Sequence, residues 1–276
     1  MPSNREAYFE ALKKSVPKTV INFALQEING FDYLELSKRL DEEIVDYNLY
    51  TNAINRYLNG EMIEYIFNKA YFLSMPLFVN KHVLIPRQET EQLVELTVQQ
   101  IRDLFNNSIL NIADICTGSG AIGIAISNYF PDNNIYMSDI SEAAIEVATT
   151  NANSIGKGNI EIYQGNMLEP LINKGILLDV LVCNPPYISS TETIEERTWK
   201  QEPHLALLAN PSTFFYEQIF KDYQKVMNKK FLLAFEIGED MEAPLEDLIK
   251  KYFVNCGYSF IKDIYGKTRF LFIKQE

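Results

Sequence analysis

The chain has 276 residues, 47% of them hydrophobic and 12% aromatic, with 25 Lys and Arg against 37 Asp and Glu for a net charge of −12. It is too apolar and too aromatic for a disordered chain, and long enough for one large domain or a core domain with a smaller partner. The acidic balance argues against binding DNA or RNA by phosphate neutralisation, which needs clustered cations.

The acid excess is spread out: residues 1–80 hold 8 cations and 11 acids, so neither a basic arm nor an acidic tail is present. Cys116, Cys183 and Cys256 are odd in number and widely spaced, which disfavours a disulfide framework or a structural zinc site. The opening residues lack the apolar run of a signal peptide, and no stretch is long and apolar enough for a membrane span. A reducing, cytoplasmic location is the expectation.

Residues 1–75 read as a small helical domain. Ser3-x-x-Glu6 has the form of a capping box ahead of Ala7, Phe9 and Leu12. Apolar residues continue at helical spacing through Val20, Phe23, Ala24 and Ile28, and again from Ile54 to Phe67. Gly30, Asp41-Glu42-Glu43 and Asn59-Gly60 punctuate them. Residues 76–88 read as a β-hairpin linker, with Leu77-Phe78-Val79 and His82-Val83-Leu84-Ile85 flanking a tight turn at Asn80-Lys81. A helix is predicted from Glu89 through Leu93, Val94, Val98 and Ile101.

From residue 109 the pattern alternates strand and helix, so residues 89–276 form the second domain. Strands are predicted at 109–115, 134–138, 160–163, 178–183, 231–237, 252–260 and 268–273, with helices at 121–130, 141–154, 212–228 and 242–251. Such alternation specifies an α/β fold, a parallel sheet with helices on both faces. The last two strands are joined too tightly for a parallel crossover and should pair antiparallel.

The glycine loop Asp114-Ile115-Cys116-Thr117-Gly118-Ser119-Gly120-Ala121-Ile122-Gly123 follows an apolar strand and opens an apolar helix. Gly118, Gly120 and Gly123 spell G-x-G-x-x-G, the dinucleotide fingerprint. Asp139 ends the next strand, where a carboxylate accepts from both hydroxyls of a ribose. That suits any adenosine-containing ligand. Two details favour S-adenosylmethionine over NAD. Asp114 at the strand end suits a ligand ammonium and repels a phosphate, and Cys116 and Thr117 intervene before the first glycine. A strand then runs into Asn184-Pro185-Pro186-Tyr187. The prolines donate no hydrogen bond and stiffen the backbone. The Pro185 carbonyl and the Asn184 side-chain oxygen are two acceptors in one frame, suited to a planar NH2 group, and Tyr187 offers a face for packing.

At these residues the sequence resembles the S-adenosylmethionine-dependent methyltransferases that act on exocyclic or amide nitrogens, including DNA adenine N6-methyltransferases and protein glutamine N5-methyltransferases. Ile85-Pro86-Arg87-Gln88-Glu89-Thr90-Glu91 is similar to the interdomain motif of the HemK/PrmC family, as are Glu202-Pro203-x-x-Ala206-Leu207, Phe215-Tyr216 and Glu236-Ile237-Gly238. The resemblance implies a Rossmann-like class I methyltransferase domain, a mostly parallel seven-stranded sheet with an antiparallel C-terminal strand, behind an N-terminal substrate-recognition domain. It implies methyl transfer to the glutamine of the Gly-Gly-Gln loop of peptide chain release factors, with the release factor as protein partner. DNA adenine and ribosomal-protein glutamine methylation are the alternatives.

Asn184, Pro185 and Tyr187 are then the catalytic candidates, and with Pro186 they hold the substrate. Asp114, Cys116, Thr117, Gly118, Ser119, Gly120, Asp139, Asn166, Met167 and Asn184 are the cofactor candidates. Cys116, Gln88, Asn166 and Met241 depart from the family pattern. A nucleotide-dependent oxidoreductase would leave Asn-Pro-Pro-Tyr without a role, and a non-catalytic binder of translation factors would not need Asn184. His82 and His204 are isolated, so no metal site is expected. Trp199 reads as a loop-packing or surface anchor, and Arg87 and Glu89 as ties of the linker to the second domain or as cleft residues. A monomer without membrane contact or direct nucleic-acid contact completes the expectation.

Overall fold

The structure is a computed structural model and describes residues 1–106 and 108–276. The chain folds as two compact units, Met1–Lys69 with Glu196–Gln201, and Ala70–Glu195 with Glu202–Glu276.

The first unit is helical: α1 (Asn4–Lys13), α2 (Lys18–Asn29), α3 (Tyr33–Lys38), α4 (Tyr47–Leu58) and α5 (Ile63–Phe67). Side-chain caps mark the starts of α1, α3 and α4. Ser3 Oγ accepts from Glu6 N at 3.2 Å while the Glu6 carboxylate accepts from Ser3 N at 2.8 Å, the reciprocal box that the spacing predicts. Asp32 and Glu35 repeat it at α3. Gly30, at φ 67°, ends α2 in the left-handed conformation that glycine adopts without Cβ strain. The core joins Ala7, Ala11, Ile21, Ala24, Leu25, Tyr50 and Ile54, and the Tyr50 hydroxyl donates to Ala7 O at 3.1 Å. The short helix Glu196–Gln201 belongs to this unit. Its Arg197 guanidinium lies 3.9 Å from the Tyr57 ring centroid and donates to Tyr57 O at 3.2 Å. Trp199 sits on the same helix, half-buried.

A two-stranded sheet, β1 (Lys69–Phe72) and β2 (Met75–Phe78), follows α5. The hairpin predicted around Asn80-Lys81 is therefore misplaced. Its turn is Leu73-Ser74, both residues at positive φ (47° and 64°), which matches the twist of a two-residue hairpin. Residues 79–87 carry no strand.

The second unit continues with α6 (Gln88–Phe105), β3 (Asn111–Ile115), α7 (Ala121–Tyr129), β4 (Asn134–Asp139), α8 (Glu142–Ile155), β5 (Asn159–Gln164), α9 (Glu169–Lys174) and β6 (Leu178–Cys183). After the helix α10 (Glu196–Gln201) come α11 (Phe214–Asp222), β7 (Met227–Glu236), α12 (Glu242–Tyr252), β8 (Gly257–Lys262) and β9 (Thr268–Gln275). The strand predicted at 252–260 thus starts later, because α12 runs through Tyr252. The seven strands lie in the order β5-β4-β3-β6-β7-β9-β8, with β9 antiparallel to both neighbours and the remaining pairs parallel.

This order fixes where a ligand can sit. The chain winds from β3 outward through β4 and β5, then returns to place β6 on the other side of β3. The crevice at that reversal, beyond the carboxyl ends of β3 and β6, is where open α/β sheets bind ligands. Ile115 pairs with Cys183, so Cys116 and Asn184 emerge side by side. Cys183 pairs with Phe235, so Glu236 emerges beside Asn184 on the next strand. Beneath them the sheet core is continuous and apolar through Ala113, Ile115, Leu181, Cys183, Leu233 and Phe235.

Candidate active site

A cleft opens at this reversal. Cys116, Gly118, Asp139, Asn166, Met167, Asn184 and Pro186 line it, joined by Ser138, Ile140, Ser141, Ala144 and Gly165. His82, Val83, Leu84, Pro203, Leu205, Ala206 and Phe215 complete the wall. Five of the six loop positions proposed for the cofactor are thus split: Cys116 and Gly118 reach the cleft surface, while Asp114, Thr117 and Ser119 lie buried beneath it. Gly120 does not line the cleft either.

The three glycines of the fingerprint do different work. Gly118, at φ 55°, has open space where a Cβ would project, so its backbone is free to approach a ligand. At Gly120 a Cβ would meet Ile124 and Met137 side chains at 2.9 Å, and at Gly123 it would meet Met137 at 2.7 Å and Asp114 Oδ2 at 3.2 Å. Those two let the start of α7 pack closely on β4. Cys116 itself takes φ 59°, a conformation that glycine adopts more easily. The Asn151 amide, buried, donates to Ser119 O at 2.8 Å and to Phe78 O at 2.9 Å, pinning the loop from below.

Two carboxylates frame the loop. Asp114 is fully buried, and its Oδ2 accepts from Thr117 Oγ1 at 2.5 Å and from Gly123 N at 2.9 Å. Its Oδ1 has no hydrogen-bond partner among the described residues. Burial pushes this carboxyl up to about 7, against the pull of those two donors. Asp139 accepts from Gly118 N at 2.9 Å through Oδ2 and from Ser141 N at 2.9 Å through Oδ1. Its carboxyl is also raised, again by burial. Each Asp139 oxygen keeps a second lone pair for a ligand hydroxyl. Met167, at φ 50°, lies 3.7 Å from Cys116 Sγ through its own sulfur, and Asn166 stands beside it on the cleft wall.

The opposite wall is built from side chains. Asn184 Nδ2 donates to Thr90 Oγ1 at 3.1 Å, and Thr90 Oγ1 donates to Glu236 Oε2 at 2.6 Å. Tyr187 Oη donates to the other carboxylate oxygen, Glu236 Oε1, at 3.2 Å. Glu236 is buried, its carboxyl raised by desolvation while the two hydroxyls and the Arg269 charge pull it back. Burial also pushes the Tyr187 phenol up. The Tyr187 ring is seated against Gly238, where a Cβ would lie 3.3 Å from Cδ2. Tyr187 and Pro185 stand behind the cleft surface, and Pro186 and Asn184 stand on it. The linker is tied in place by Arg87, whose Nη2 meets Glu202 Oε2 at 2.5 Å, with the Glu202 side chain wholly buried. Glu202 Oε1 also lies 3.4 Å from Ile85 N.

His82 lines the cleft, whereas His204 is exposed beside it. Among the described residues no group of three or more His, Cys, Asp or Glu is placed to hold a metal, and no helix is long and apolar enough to cross a membrane. All three cysteines are free. Sequence reasoning missed the Thr90–Glu236 contact as a site feature. Thr90 lies in Ile85–Glu91 and Glu236 in Glu236-Ile237-Gly238, and nothing in their spacing of 146 positions joins them.

The methyltransferase small domain family matches residues 92–239. The Staphylococcus aureus release factor glutamine methyltransferase is 38% identical over 80% of this chain and 79% of its own length. The Bacillus subtilis enzyme of the same name is 35% identical over 87% and 85%, and the Mycoplasma mycoides one 31% over 94% and 93%. The chain belongs to the release factor glutamine methyltransferase family. Among solved structures, the hMettl16 catalytic domain is similar in fold, with a TM-score of 0.59 at 13% identity over 97% of this chain and 91% of that one.

Release factor glutamine methyltransferases are S-adenosylmethionine-dependent enzymes, and this chain is one by family. Its residues fit that cofactor. A ligand ammonium near Asp114 would answer its orphaned oxygen, the open face of Gly118 admits a ligand against the backbone, and Asp139 retains acceptors for a ribose.

Proposed function

We propose that this enzyme transfers a methyl group to the side-chain amide nitrogen, N5, of the glutamine in the Gly-Gly-Gln loop of peptide chain release factors. The observation that carries the reading is Asn184 at the carboxyl end of β6, on the same cleft as Gly118 and Asp139 and beside Pro186. Asp139 and Gly118 are assigned to the ribose side of the cofactor, Asn166 and Met167 to its adenine side, and Asp114 with the Thr117–Gly120 loop to its ammonium end.

S-adenosylmethionine supplies an electrophilic methyl on a sulfonium, an excellent leaving group. The protein's task is therefore positioning. An amide nitrogen is a poor nucleophile because its lone pair is delocalised into the carbonyl. Asn184 Oδ1 accepts one NH2 hydrogen at the cleft surface, and the Pro185 carbonyl, from the residue just behind that surface, is assigned to the other; together they aim the nitrogen at the methyl group, an entropic contribution to rate. Acceptors there also stabilise the positive charge that grows on nitrogen as it is methylated. Tyr187, locked between Gly238 and Glu236, buttresses the substrate amide from behind the cleft surface. No strong base is required, since the proton leaves to water after transfer.

The helical residues 1–75 are assigned to recognition of the protein substrate. The enzyme is read as a cytoplasmic monomer that acts on protein rather than nucleic acid, and the net charge of −12 supports the choice of protein over nucleic acid. Mass spectrometry of a release factor incubated with enzyme and cofactor tests the whole reading. One added methylene on the Gly-Gly-Gln glutamine is expected, and label in duplex DNA with an unlabelled release factor would overturn it.

A further inference from the structure

We propose that Thr90 and Glu236 are positioning residues that decide which end of the Asn184 amide faces the substrate. This rests on the assignment of Asn184 as an acceptor for the glutamine amide. A side-chain amide is nearly symmetric in shape but opposite in polarity at its two ends, so packing alone does not choose its orientation. Presented one way round, Asn184 offers an acceptor to the incoming NH2. Turned over, it sets a donor against a donor.

The choice is made by a directed chain of hydrogen bonds. Both hydroxyls that meet Glu236 donate to it, Thr90 Oγ1 to Oε2 at 2.6 Å and Tyr187 Oη to Oε1 at 3.2 Å, and these two donors together with the Arg269 charge favour the carboxylate, which has no proton to give, against the cost of burial. Having spent its one proton, Thr90 presents only lone pairs to Asn184, 3.1 Å away. The group of Asn184 that faces Thr90 must then be the NH2, which leaves Oδ1 for the cleft. Thr90 and Glu236 are only 5% and 3% exposed, so water is not at hand to scramble this order. The same carboxylate holds the Tyr187 phenol, so one buried charge sets the orientation of two members of the Asn-Pro-Pro-Tyr segment.

The sheet and the first turn of α6 make the chain possible. Glu236 ends β7 one strand away from Asn184, in the register set by Cys183 and Phe235. Thr90 reaches them from the third residue of α6. Neither Thr90 nor Glu236 lines the cleft. Their influence on the reaction therefore passes through Asn184 and Tyr187.

The test compares the wild-type enzyme with Thr90→Val, Thr90→Ser and Glu236→Gln, reading kcat and KM for a release factor and calorimetric affinity for S-adenosylmethionine. Valine keeps the shape of threonine and removes the acceptor, so kcat is expected to fall by about 10²-fold, the scale of losing one preorganised polar contact. KM and cofactor affinity should stay within about threefold, because the residues that meet the cofactor and most of the protein substrate are untouched. Thr90→Ser keeps the hydroxyl and should recover kcat to within about threefold of wild type. Glu236→Gln leaves only one accepting oxygen for two donors, so one hydroxyl must reverse, and kcat should fall by at least about tenfold. Wild-type kcat in Thr90→Val would overturn the proposal. So would equal damage in Thr90→Ser and Thr90→Val, or loss of cofactor binding in Thr90→Val, either of which would make Thr90 a packing residue. A wild-type enzyme that leaves the release factor unmodified would instead sink the parent reading.

Discussion

The two walls of the cleft solve opposite problems with different materials. The wall assigned to the cofactor is a glycine loop held by backbone groups: Gly118 N on Asp139, Gly123 N on Asp114, and Ser119 O on Asn151. The wall assigned to the substrate amide is a relay of side chains, from Asn184 to Thr90 to Glu236 and back to Tyr187. A ligand that must be bound needs a shape that backbone can mould. A nitrogen that must be aimed needs donors and acceptors of defined polarity, which only side chains fixed by further side chains supply. The difference implies that damage to one wall should be read in affinity and damage to the other in turnover.

The largest expected effect lies on the amide wall. Asn184→Ala should lower kcat by about 10³-fold while S-adenosylmethionine still binds within a few-fold of wild type, as calorimetry would show. A large loss of cofactor affinity in that variant would erase the distinction between the walls.

The next concerns the buried charge at the cofactor wall. The folded-state value of Asp114, about 7, lies above its ordinary 3.8, so the folded ligand-free protein holds this proton more tightly than the unfolded chain. Its contribution is favourable below the unfolded value and is lost as pH rises through the folded one. The ligand-free protein should therefore lose stability between about pH 4 and 7, by on the order of a few kcal/mol from this group. Asp114→Asn should flatten that part of the profile in denaturant titrations. An unchanged slope would place the pH dependence elsewhere, with Asp139 and Glu236, which burial raises in the same direction.

Asp139→Ala removes the acceptors assigned to the ribose and should weaken cofactor affinity by about 10- to 100-fold, the scale of hydrogen bonds to a charged group. At saturating cofactor its kcat should stay within a few-fold of wild type, and a large fall would put Asp139 on the turnover side. The smallest expected effect separates the glycines within one loop. Gly123→Ala, which would place a Cβ 2.7 Å from Met137, should cost about 1–3 kcal/mol of stability in thermal or denaturant unfolding. Gly118→Ala, with open space at its Cβ but φ 55°, should cost about 1 kcal/mol and act mainly on cofactor affinity.

Much of this architecture is written in local pattern. The capping box at Ser3, the apolar strand before Asp114, the glycine loop and the strand running into Asn184 each depend on residues within about ten positions of one another, the range over which period and turn chemistry act. Where local signals are weak, neighbours in space decide. The Leu73-Ser74 turn contains no Gly, Asn or Asp, and Asn80-Lys81 is the more turn-like pair, so residue type alone points to the wrong turn. Helix Glu196–Gln201 is only six residues long and belongs to the first unit, where Arg197 meets Tyr57, 140 positions away.

The sequence by itself determined the alternation of strands and helices, the G-x-G-x-x-G turn, Asp139 at the next strand end and the Asn-Pro-Pro-Tyr segment directly after a strand, because each is a short-range consequence of residue type. Only the tertiary structure decided that Gly120 and Gly123 serve packing while Gly118 faces the cleft, that Asp114 lies buried with one oxygen unanswered, and that Thr90 and Glu236 stand behind Asn184. The physical reason is the same in each case. Burial, steric room and hydrogen-bond polarity are properties of neighbours in space, and the sheet register brings together residues that no sequence period connects.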